Sequence, residues 1–449
     1  MVNIVDIDVR ESDGAIHAVA DITVPGRQGE AWYRLPSGAG TDLDGATDAF
    51  FIIGLLLAMG TDGVLTMDQP VSRRLLYSSR RAIQGILLNW HGDKLRRAEI
   101  DVPAREADPT PDAHRTVTCF TGGADSFDTL INNADDVEAL LFVHGFDIPL
   151  RRTEIREATS AHLREVAAET GKELIEVETN IRRFLNHAGS WPGLTHGGAL
   201  SSVGHLLSGR FGRILLPASH TYAEQYPWGT DPMLDHLWSS NRLTVVTDGS
   251  ASTRVEKIVG LAEDPVAQRH LRVCWQNTGK YNCSSCDKCV RTMITLSIAG
   301  VLPEFRTFDS EVPHSLIREK LQVSTEGKRA FARNNIAFAE ERGHTEMAAV
   351  LRGMLEDRER RIARRAAGKS ATGTSAPAKQ APAKPKQAAA KPKQAAAKLK
   401  LPPADEKRLA AYEKRIAAIE RQVDRMYRLL PIRTWERFVA SRHEKRSEG

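Results

Sequence analysis

The sequence predicts an α/β protein whose core is a parallel β-sheet covered by helices on both faces. Two observations lead to this prediction. Residues 114–300 alternate short apolar strands with helical stretches, at a spacing typical of parallel strands joined by helices. Residues 1–105 show apolar residues at every second position and then one long apolar run, which predicts a small N-terminal α+β module.

The N-terminal module is predicted from alternation and turn signals. Residues 3–36 contain a β-hairpin around ESDG and a third strand at EAWYRLP. Helices are predicted at residues 46–59 and 71–90, and a returning strand at residues 98–103. A proline-bearing linker then leads from residue 105 into the second domain, residues 114–300.

The second domain repeats strand and helix along its length. Strands are predicted at TVTCF, EALLFVHGF, ELIEVETN, RILLPAS and RLTVVTDG, with helices between them. Ligands of such sheets bind beyond the carboxyl ends of strands. The segment that follows TVTCF is therefore a candidate ligand site.

Three further segments complete the predicted organisation. Residues 301–366 form a charged helical extension, and residues 367–404 an Ala/Lys/Pro-rich linker, with KPKQAAA twice in succession, that is predicted to be disordered. Residues 405–449 hold a heptad helix and a basic tail. Apolar residues spaced alternately by three and four over residues 409–430 predict a coiled coil and a homo-oligomer. A single amphipathic helix that packs on the body is the alternative.

Charge is distributed unevenly along the 449 residues, whose net charge is +5. Residues 357–449 hold 25 Lys and Arg against 10 Asp and Glu, whereas residues 1–356 hold 37 against 47. A basic tail on an acidic body predicts an acidic partner for the tail: the body itself, nucleic acid or a membrane surface. A solvated tail that keeps the protein soluble is the alternative.

The compartment is inferred from what the sequence lacks. The start, MVNIVDIDVRESDG, has neither the basic nor the apolar region of a signal peptide. The longest apolar run, residues 49–59, is shorter than the roughly 20 residues of a membrane span and predicts a buried helix. We therefore expect a cytoplasmic protein with no membrane span.

The segment FTGGADS, residues 120–126, predicts a phosphate-binding turn. Gly122 and Gly123 allow the backbone to approach an anion and to expose its N–H groups. The helix that follows directs its positive end at the same anion. Ser126 can donate to a phosphate oxygen, and Asp125 can cap the helix or hold Mg²⁺. A simple turn between strand and helix is the alternative.

This segment resembles the SGGxDS loop of the N-type ATP pyrophosphatases, with Thr121 in place of the usual serine. The resemblance implies the adenine nucleotide α-hydrolase-like fold, ATP and Mg²⁺ as ligands, and cleavage of ATP between its α and β phosphates. Members of this superfamily adenylate a carboxylate or carbonyl oxygen, and a nitrogen or sulfur nucleophile then attacks the activated carbon and displaces AMP.

Four of the five cysteines lie within 16 residues, with the spacing C-x8-C-x2-C-x2-C. They are Cys274, Cys283, Cys286 and Cys289. In a chain without an export signal this pattern favours a metal over disulfides, and four thiolates with no open position favour structural Zn²⁺. An iron–sulfur cluster is the alternative. Cationic side chains at positions 280, 288 and 291 would offset the thiolate charge, and Cys119 is predicted to lie in the core.

The glycine turn and the cysteines together resemble the 7-cyano-7-deazaguanine synthase family over roughly residues 114–300. The resemblance implies that the turn residues hold ATP phosphates, that the four cysteines hold Zn²⁺, and that Arg254 or Lys257 in TRVEKI binds phosphate during catalysis. Surface charge is the alternative for these two. His144, at a strand end, is a candidate nucleotide ligand, with a satisfied loop histidine as the alternative. His196, before a helix, is a second functional candidate.

The chain departs from that family where a substrate would bind. LTHGGALSS stands where the family has an Arg-Asn pair, and ASHTYAEQYPWGTDPMLD replaces the family's substrate segment. The second stretch holds His220, Tyr222, Tyr226, Trp228, Asp231 and Asp235. Such a mixture suits a pocket for a small-molecule carboxylate or a peptide terminus, and a packed Ω-loop is the alternative.

Three functions remain open from the sequence. The first is an ATP-dependent ligase that adenylates a carboxylate, releases pyrophosphate and transfers the acyl group to ammonia or an amine. The second is a nucleotide-binding scaffold or sensor without turnover, in a defence or surface-polysaccharide cluster. The third is a nucleic-acid-modifying enzyme whose basic tail follows the phosphate backbone.

Overall fold

The computed structural model describes residues 1–106, 114–276 and 280–371, with side chains to residue 362. Residues Met1–Thr374 form one compact unit, so the boundary expected near residue 105 lies inside it. The predicted heptad helix and most of the predicted linker lie outside the described residues. The coiled coil therefore stays a prediction.

Twelve strands are present in the described residues. They are β1 (Val2–Ser12), β2 (Ala15–Val24), β3 (Arg27–Pro36), β4 (Val64–Met67), β5 (Val71–Ser72), β6 (Glu99–Asp101), β7 (Ala104–Arg105), β8 (Thr116–Cys119), β9 (Val137–His144), β10 (Glu173–Thr179), β11 (Arg213–Pro217) and β12 (Thr244–Asp248). Ten of them form one sheet in the order β12-β11-β8-β9-β10-β3-β2-β1-β4-β6, and β5 pairs with β7.

Thirteen α-helices are present in the same residues. They are α1 (Leu43–Gly60), α2 (Arg73–Ser78), α3 (Gln84–His91), α4 (Ala124–Asn132), α5 (Thr153–Thr170), α6 (Ile181–Leu185), α7 (His196–Leu206), α8 (Arg254–Gly260), α9 (Pro265–His270), α10 (Asp287–Ile298), α11 (His314–Lys320), α12 (Glu326–Glu341) and α13 (Thr345–Ala371). A π-helical stretch, Ser79–Ile83, joins α2 to α3.

The predicted α/β class with a mostly parallel sheet is confirmed. Strands β12, β11, β8, β9 and β10 run parallel to one another. The N-terminal strands β1, β2 and β3 pair antiparallel, as a hairpin and third strand should. The hairpin turns at Asp13 and Gly14, both with positive φ, which suits the right-handed twist of the two strands.

Helices cover both faces of the sheet and bury two apolar cores. On one face α1 packs beside α7, and its residues from Gly45 to Met59 are all buried. This confirms that residues 49–59 lie in a buried helix. Within the described residues, α1 is the one helix long and apolar enough to cross a membrane, with a mean hydropathy of 1.6, and 83% of that stretch is buried. On the other face α4, α5, α8, α9 and α10 enclose the second core.

The N-terminal strands join the parallel strands edge to edge. Strand β3 pairs antiparallel with β10, with Tyr33 opposite Thr179. The Thr179 hydroxyl donates to the Trp32 carbonyl at 2.7 Å. The Asn180 side chain accepts from the Trp32 N–H at 3.0 Å and donates to the Glu30 carbonyl at 2.9 Å. Strands from residues 1–105 and strands from residues 114–300 therefore belong to one continuous sheet.

Tyr33 connects this junction to helix α7. Its ring is fully buried, and its hydroxyl lies 2.8 Å from the hydroxyl of Ser202. Because Ser202 gives its only hydroxyl proton to the Ala199 carbonyl at 2.7 Å, Tyr33 is the donor to Ser202.

We predict that Tyr33→Phe lowers the free energy of unfolding by about 1 kcal/mol, since it removes one buried hydrogen bond while keeping the ring. Urea denaturation followed by circular dichroism measures this change. Tyr77→Phe is the matched control, because Tyr77 is 66% exposed and its change should be close to zero. Equal stabilities of Tyr33→Phe and the unmodified chain would contradict the assigned bond.

Candidate functional site

The glycine turn links strand β8 to helix α4. Gly122 has φ +73°, a conformation that favours glycine, and Gly123 is the N-cap residue of α4. The Ser126 hydroxyl donates to the Gly123 carbonyl at 2.9 Å and accepts from the Thr121 N–H at 3.4 Å. The turn is thus braced from inside, and its amide groups lie at the positive end of a helix.

The strand order places this turn at a topological switch point. Strand β8 lies between β9 and β11. The chain adds β9 and β10 on one side of β8 and later adds β11 and β12 on its other side. A crevice opens at the carboxyl ends of strands where the order reverses in this way. Ser219, just beyond β11, lies 3.5 Å from the Asp125 carboxylate, which follows β8. Both strand ends therefore meet at Asp125.

Helix α8 supplies two cations to this point. Thr253 and Glu256 form a capping box, in which each side chain accepts from the other's backbone N–H, and this fixes Arg254 as the first helical residue. Arg254 donates to the Asp125 carboxylate at 2.5 Å. The Lys257 ammonium is 4.0 Å from Asp125 and donates to the Ala218 carbonyl at 2.6 Å.

The pKa of Asp125 reflects an excess of cations. Burial acts to raise it, but the charges of Arg254, Lys257, Lys288 and Arg291 outweigh burial, so the pKa lies below the usual value. Asp125 is therefore ionised at neutral pH and accompanied by more than one positive charge. The Nε atoms of Arg254 and Arg291 are buried without a hydrogen-bond partner among the described residues.

The four predicted cysteine ligands come together. The sulfurs of Cys274, Cys283, Cys286 and Cys289 lie within 4.8 Å of one another. The sulfurs of Cys283 and Cys289 are 3.9 Å apart, and tetrahedral Zn²⁺ with bonds of about 2.3 Å would place them roughly 3.8 Å apart. Hydrogen bonds from the neighbouring thiols, Cys289 foremost, lower the pKa of Cys286 to about 5. The group could hold a metal and is compatible with zinc.

Asn282 connects the two halves of the cysteine group. Its side-chain oxygen accepts from the N–H groups of Val273 and Cys274 at 2.9 and 3.1 Å. Its amide donates to the Leu271 carbonyl at 2.8 Å. Ser284, in the turn between Cys283 and Cys286, has φ +52°, which brings these two cysteines onto one side. The cysteine group is thus largely formed by the protein itself.

The chain segments that carry the cysteines contact the glycine turn. The Arg272 N–H donates to the Gly122 carbonyl at 2.7 Å, and Tyr281 donates to the His270 carbonyl at 3.2 Å beside the same turn. Cys286 is the N-cap residue of α10, which carries Lys288 and Arg291 in its first turns. A metal at the cysteines would therefore also hold two of the cations that act on Asp125.

His144 and Cys119 take no part in the contacts between the glycine turn and the cysteine segments. His144 accepts from the Arg156 guanidinium at 3.2 Å and hydrogen-bonds Glu176 at 3.1 Å. It lines a cavity of about 540 Å³ between α5 and β10, and none of its described bonds involves the glycine turn. Burial raises the pKa of Cys119 to about 12, and this cysteine lies in the core as predicted.

The segment from His220 to Asp235 contains two kinds of residue. Two carboxylates anchor the segment, and several rings form an aromatic cluster. The carboxylates of Asp231 and Asp235 are buried and hold the segment in place, through the Met233 N–H at 2.8 Å and the Thr247 hydroxyl at 2.8 Å. Tyr222 is exposed.

His196 and neighbouring glycines also fasten this segment. His196 lies 3.0 Å from the Thr230 hydroxyl, and burial lowers its pKa to about 4. Gly197 packs against the Gly229 carbonyl so closely that no side chain fits there. Gly197 in LTHGGALSS thus lets α7 approach the segment, whereas Gly198 lets α7 pack closely on Leu56 of α1.

An aromatic cluster forms beside the cations. His220 accepts or donates at 2.8 Å to the Tyr226 hydroxyl, packs edge-on to Trp228 and stacks on Phe331 at 5.6 Å between ring centres. Arg291 lies over the Phe331 ring at 4.1 Å. The cluster therefore joins the loop after β11 to helices α10 and α12.

Sequence reasoning missed Phe331 and assigned Arg291 a different role. Phe331 comes from α12, which the sequence marks only as charged and helical. The sequence predicts that Arg291 offsets thiolate charge, but in the structure Arg291 also acts on Asp125. Arg291 lies three residues after Lys288 on α10, so both side chains lie on one face of the helix, and Cys289 lies on another. That spacing was the available signal.

Comparisons with protein-family models, with curated proteins and with solved structures find no match for this chain. The class of protein is defined by the chain's own geometry. It is an α/β protein with a glycine turn at the topological switch point of its sheet, flanked by a four-cysteine group that could hold a metal ion.

We predict that Cys286→Ala binds one zinc ion fewer per chain than the unmodified protein and loses a large part of the roughly 10–16 kcal/mol that a structural zinc contributes. Elemental analysis after gel filtration, together with thermal unfolding, measures both effects. Cys119→Ala is the control, since it lowers stability through a core cavity but should keep the full zinc content. An unchanged zinc content in Cys286→Ala would exclude the cysteine site.

A second prediction concerns Asp235, whose pKa burial raises to about 8. Because the folded pKa lies above the unfolded value, the folded chain binds the extra proton, and stability falls as pH rises from about 4 to 8. We expect Asp235→Asn to remove this loss, which reaches at most about 1.4 kcal/mol per pH unit. Urea unfolding at pH 6, 7 and 8 measures it. Exposed Asp93→Asn serves as the control, and parallel pH curves for Asp235→Asn and the unmodified chain would refute the assignment.

Proposed function

We propose that the chain is an ATP-dependent ligase of the N-type ATP pyrophosphatase class, with the adenine nucleotide α-hydrolase-like fold. It adenylates a substrate carboxylate, releases pyrophosphate, and transfers the acyl group to ammonia or an amine. The observation that carries the proposal is the cluster of cations around the glycine turn at the switch point of the sheet. The resemblance of FTGGADS to the SGGxDS loop supports it.

The charge balance favours a polyanionic ligand. Arg254, Lys257 and Arg291 are largely buried, and Asp125 and Asp128 offset part of their charge. Asp287, another carboxylate near Arg291, has its own ion pair with Lys328 at 3.3 Å. Buried charge without a partner costs several kcal/mol. A triphosphate over the turn would pair with these cations and with the two unpartnered guanidinium Nε atoms.

Two carboxylates beside the turn suit Mg²⁺. Asp125 Oδ1 and Asp128 Oδ2 are buried and have no hydrogen-bond partner among the described residues. Hard carboxylate oxygens next to phosphates are the ligands that Mg²⁺ takes in nucleotide sites. Asp125 and Asp128 would hold the ion, which would supply positive charge beside the phosphates of the nucleotide.

The residues would then divide the work. The N–H groups after Gly122 and the start of α4 hold the β and γ phosphates. The Ser126 hydroxyl, which braces the turn through the Gly123 carbonyl, would redirect its proton to one of these phosphates. Arg254 and Lys257 stabilise the charge that develops on the leaving pyrophosphate. Such positioning and charge stabilisation provide most of the rate in reactions of this kind.

The zinc that we assign to the four cysteines is structural in this proposal. Four thiolates leave no open position for a substrate. Its part is to fix the start of α10, and with it Lys288 and Arg291, relative to the glycine turn.

The acyl substrate would lie toward the aromatic cluster of His220, Trp228 and Phe331, which adjoins Arg291. Flat rings provide apolar contact for a small carboxylate or a peptide terminus, and Arg291 can pair with a carboxylate. Burial lowers the pKa of His220 to about 4, so it is neutral at pH 7 and adds no positive charge to the site.

Nucleotide turnover tests the proposal. The purified chain is incubated with ATP, Mg²⁺ and ammonium, with a deazaguanine carboxylate in one arm and cell extract in another, and AMP and pyrophosphate are quantified by chromatography. We expect AMP and pyrophosphate in equal amounts, and a loss on the order of 100-fold or more in Asp125→Ala, Ser126→Ala and Arg254→Ala. The arm that stimulates turnover indicates the substrate.

Asp135→Ala is the matched control, since Asp135 is exposed beyond the opposite end of α4 and should keep full activity. Formation of ADP in place of AMP would refute adenylation. Tight ATP binding without turnover in either arm would favour the scaffold, for which the cation cluster alone suffices.

A further inference from the structure

We propose that His162, Glu165 and His270 form a second metal site, separate from the cysteine group, that binds a divalent transition metal such as zinc. This inference does not depend on the proposed ligase activity. It rests on where three side chains from two helices converge and on the groups that hold them.

The three ligand atoms already have the spacing of a metal site. His162 and Glu165 lie one turn apart on α5, and His270 is the last residue of α9. The Nδ1 atoms of the two histidines are 3.3 Å apart, and His270 Nδ1 is 3.7 Å from Glu165 Oε2. Zn–N bonds of about 2.0–2.1 Å at tetrahedral angles place ligand atoms roughly 3.3–3.4 Å apart. All three lie within 4.8 Å of one another.

The outer contacts orient both rings. His270 Nε2 lies 3.2 Å from the Glu169 carboxylate, and Glu169 is itself paired with Arg269. A carboxylate on the far nitrogen is the usual partner of a metal-bound histidine, because it fixes the proton there and leaves Nδ1 free to coordinate. The His162 ring stacks on Tyr281 at 3.9 Å between ring centres.

The donor set indicates the kind of metal. Two imidazoles and one carboxylate suit Zn²⁺, Co²⁺ or Ni²⁺, whereas Mg²⁺ and Ca²⁺ prefer oxygen alone. Three ligands leave a fourth position open. His270 is buried and Glu165 is 62% exposed, so the site has a rigid inner ligand and a side open to solvent.

A metal here would connect α5 to the segment that supports the glycine turn. The His270 carbonyl accepts from Tyr281, and two residues later the Arg272 N–H donates to the Gly122 carbonyl. The ion would thus hold in place the segment that contacts the glycine turn.

Metal counting tests the proposal. The full chain is loaded with excess zinc, desalted, and analysed by elemental mass spectrometry. We expect His162→Gln and Glu165→Gln each to bind one zinc fewer than the unmodified chain. His314→Gln is the matched control, since His314 pairs with Glu346 at 3.3 Å elsewhere on the surface and should keep the full count. An equal count in the unmodified chain and in His162→Gln would overturn the site.

Cobalt titration gives an independent reading. With the cysteines filled by zinc, added Co²⁺ should give visible bands without thiolate charge transfer, and Glu169→Gln should weaken its affinity roughly 10–100-fold without changing the count. Because His162 is half-buried and Glu165 is exposed, their substitution by glutamine should leave the fold intact, which circular dichroism checks. Co²⁺ affinity that is the same in Glu169→Gln, His162→Gln and the unmodified chain would also overturn the proposal.

Discussion

The charge balance around Asp125 is the constraint on which the rest of this structure depends. One carboxylate receives Arg254 at 2.5 Å and lies within the field of three more cations. These cationic side chains come from helices α8 and α10, and the glycine turn that carries Asp125 follows strand β8. The strand order, the capping box before α8 and the start of α10 all serve to bring positive charge to one strand end. Such a concentration of buried positive charge favours an anion nearby, because unpaired buried charge is costly.

The cysteine group belongs to this same arrangement. A metal bound by Cys286 and Cys289 would fix the first turn of α10, and residues on the neighbouring face of that turn reach the cation cluster. The segment that bears the first cysteine also bonds to the glycine turn. A metal described as structural can thus control ligand affinity, because it sets the position of charges that touch the ligand. The cysteines do not touch Asp125, but a metal bound to them would still affect the cations around it.

Local features of this protein could be predicted from the sequence, and long-range ones could not. The glycine turn, the hairpin at Asp13, the buried run in α1 and the four cysteines each depend on residues close in the chain. Pairing of β3 with β10 has no local signal, since either strand could lie at an edge. Phe331 reaches the aromatic cluster from more than a hundred residues beyond His220, and periodicity shows only that its helix is amphipathic. The anchoring role of Gly197 and Gly229 depends on a close approach that composition does not reveal.

The shared sheet also sets the order of events during synthesis. Strand β3 ends at Pro36, whereas its partner β10 begins only at Glu173. At about 5–20 residues per second, the three N-terminal strands are synthesised roughly 7–30 s before that partner. During this interval β3 presents an unpaired edge that could join another nascent chain. The charges at positions 27, 30 and 34 of β3 are the kind of side chain that discourages such pairing, and a chaperone would have its longest opportunity to bind there.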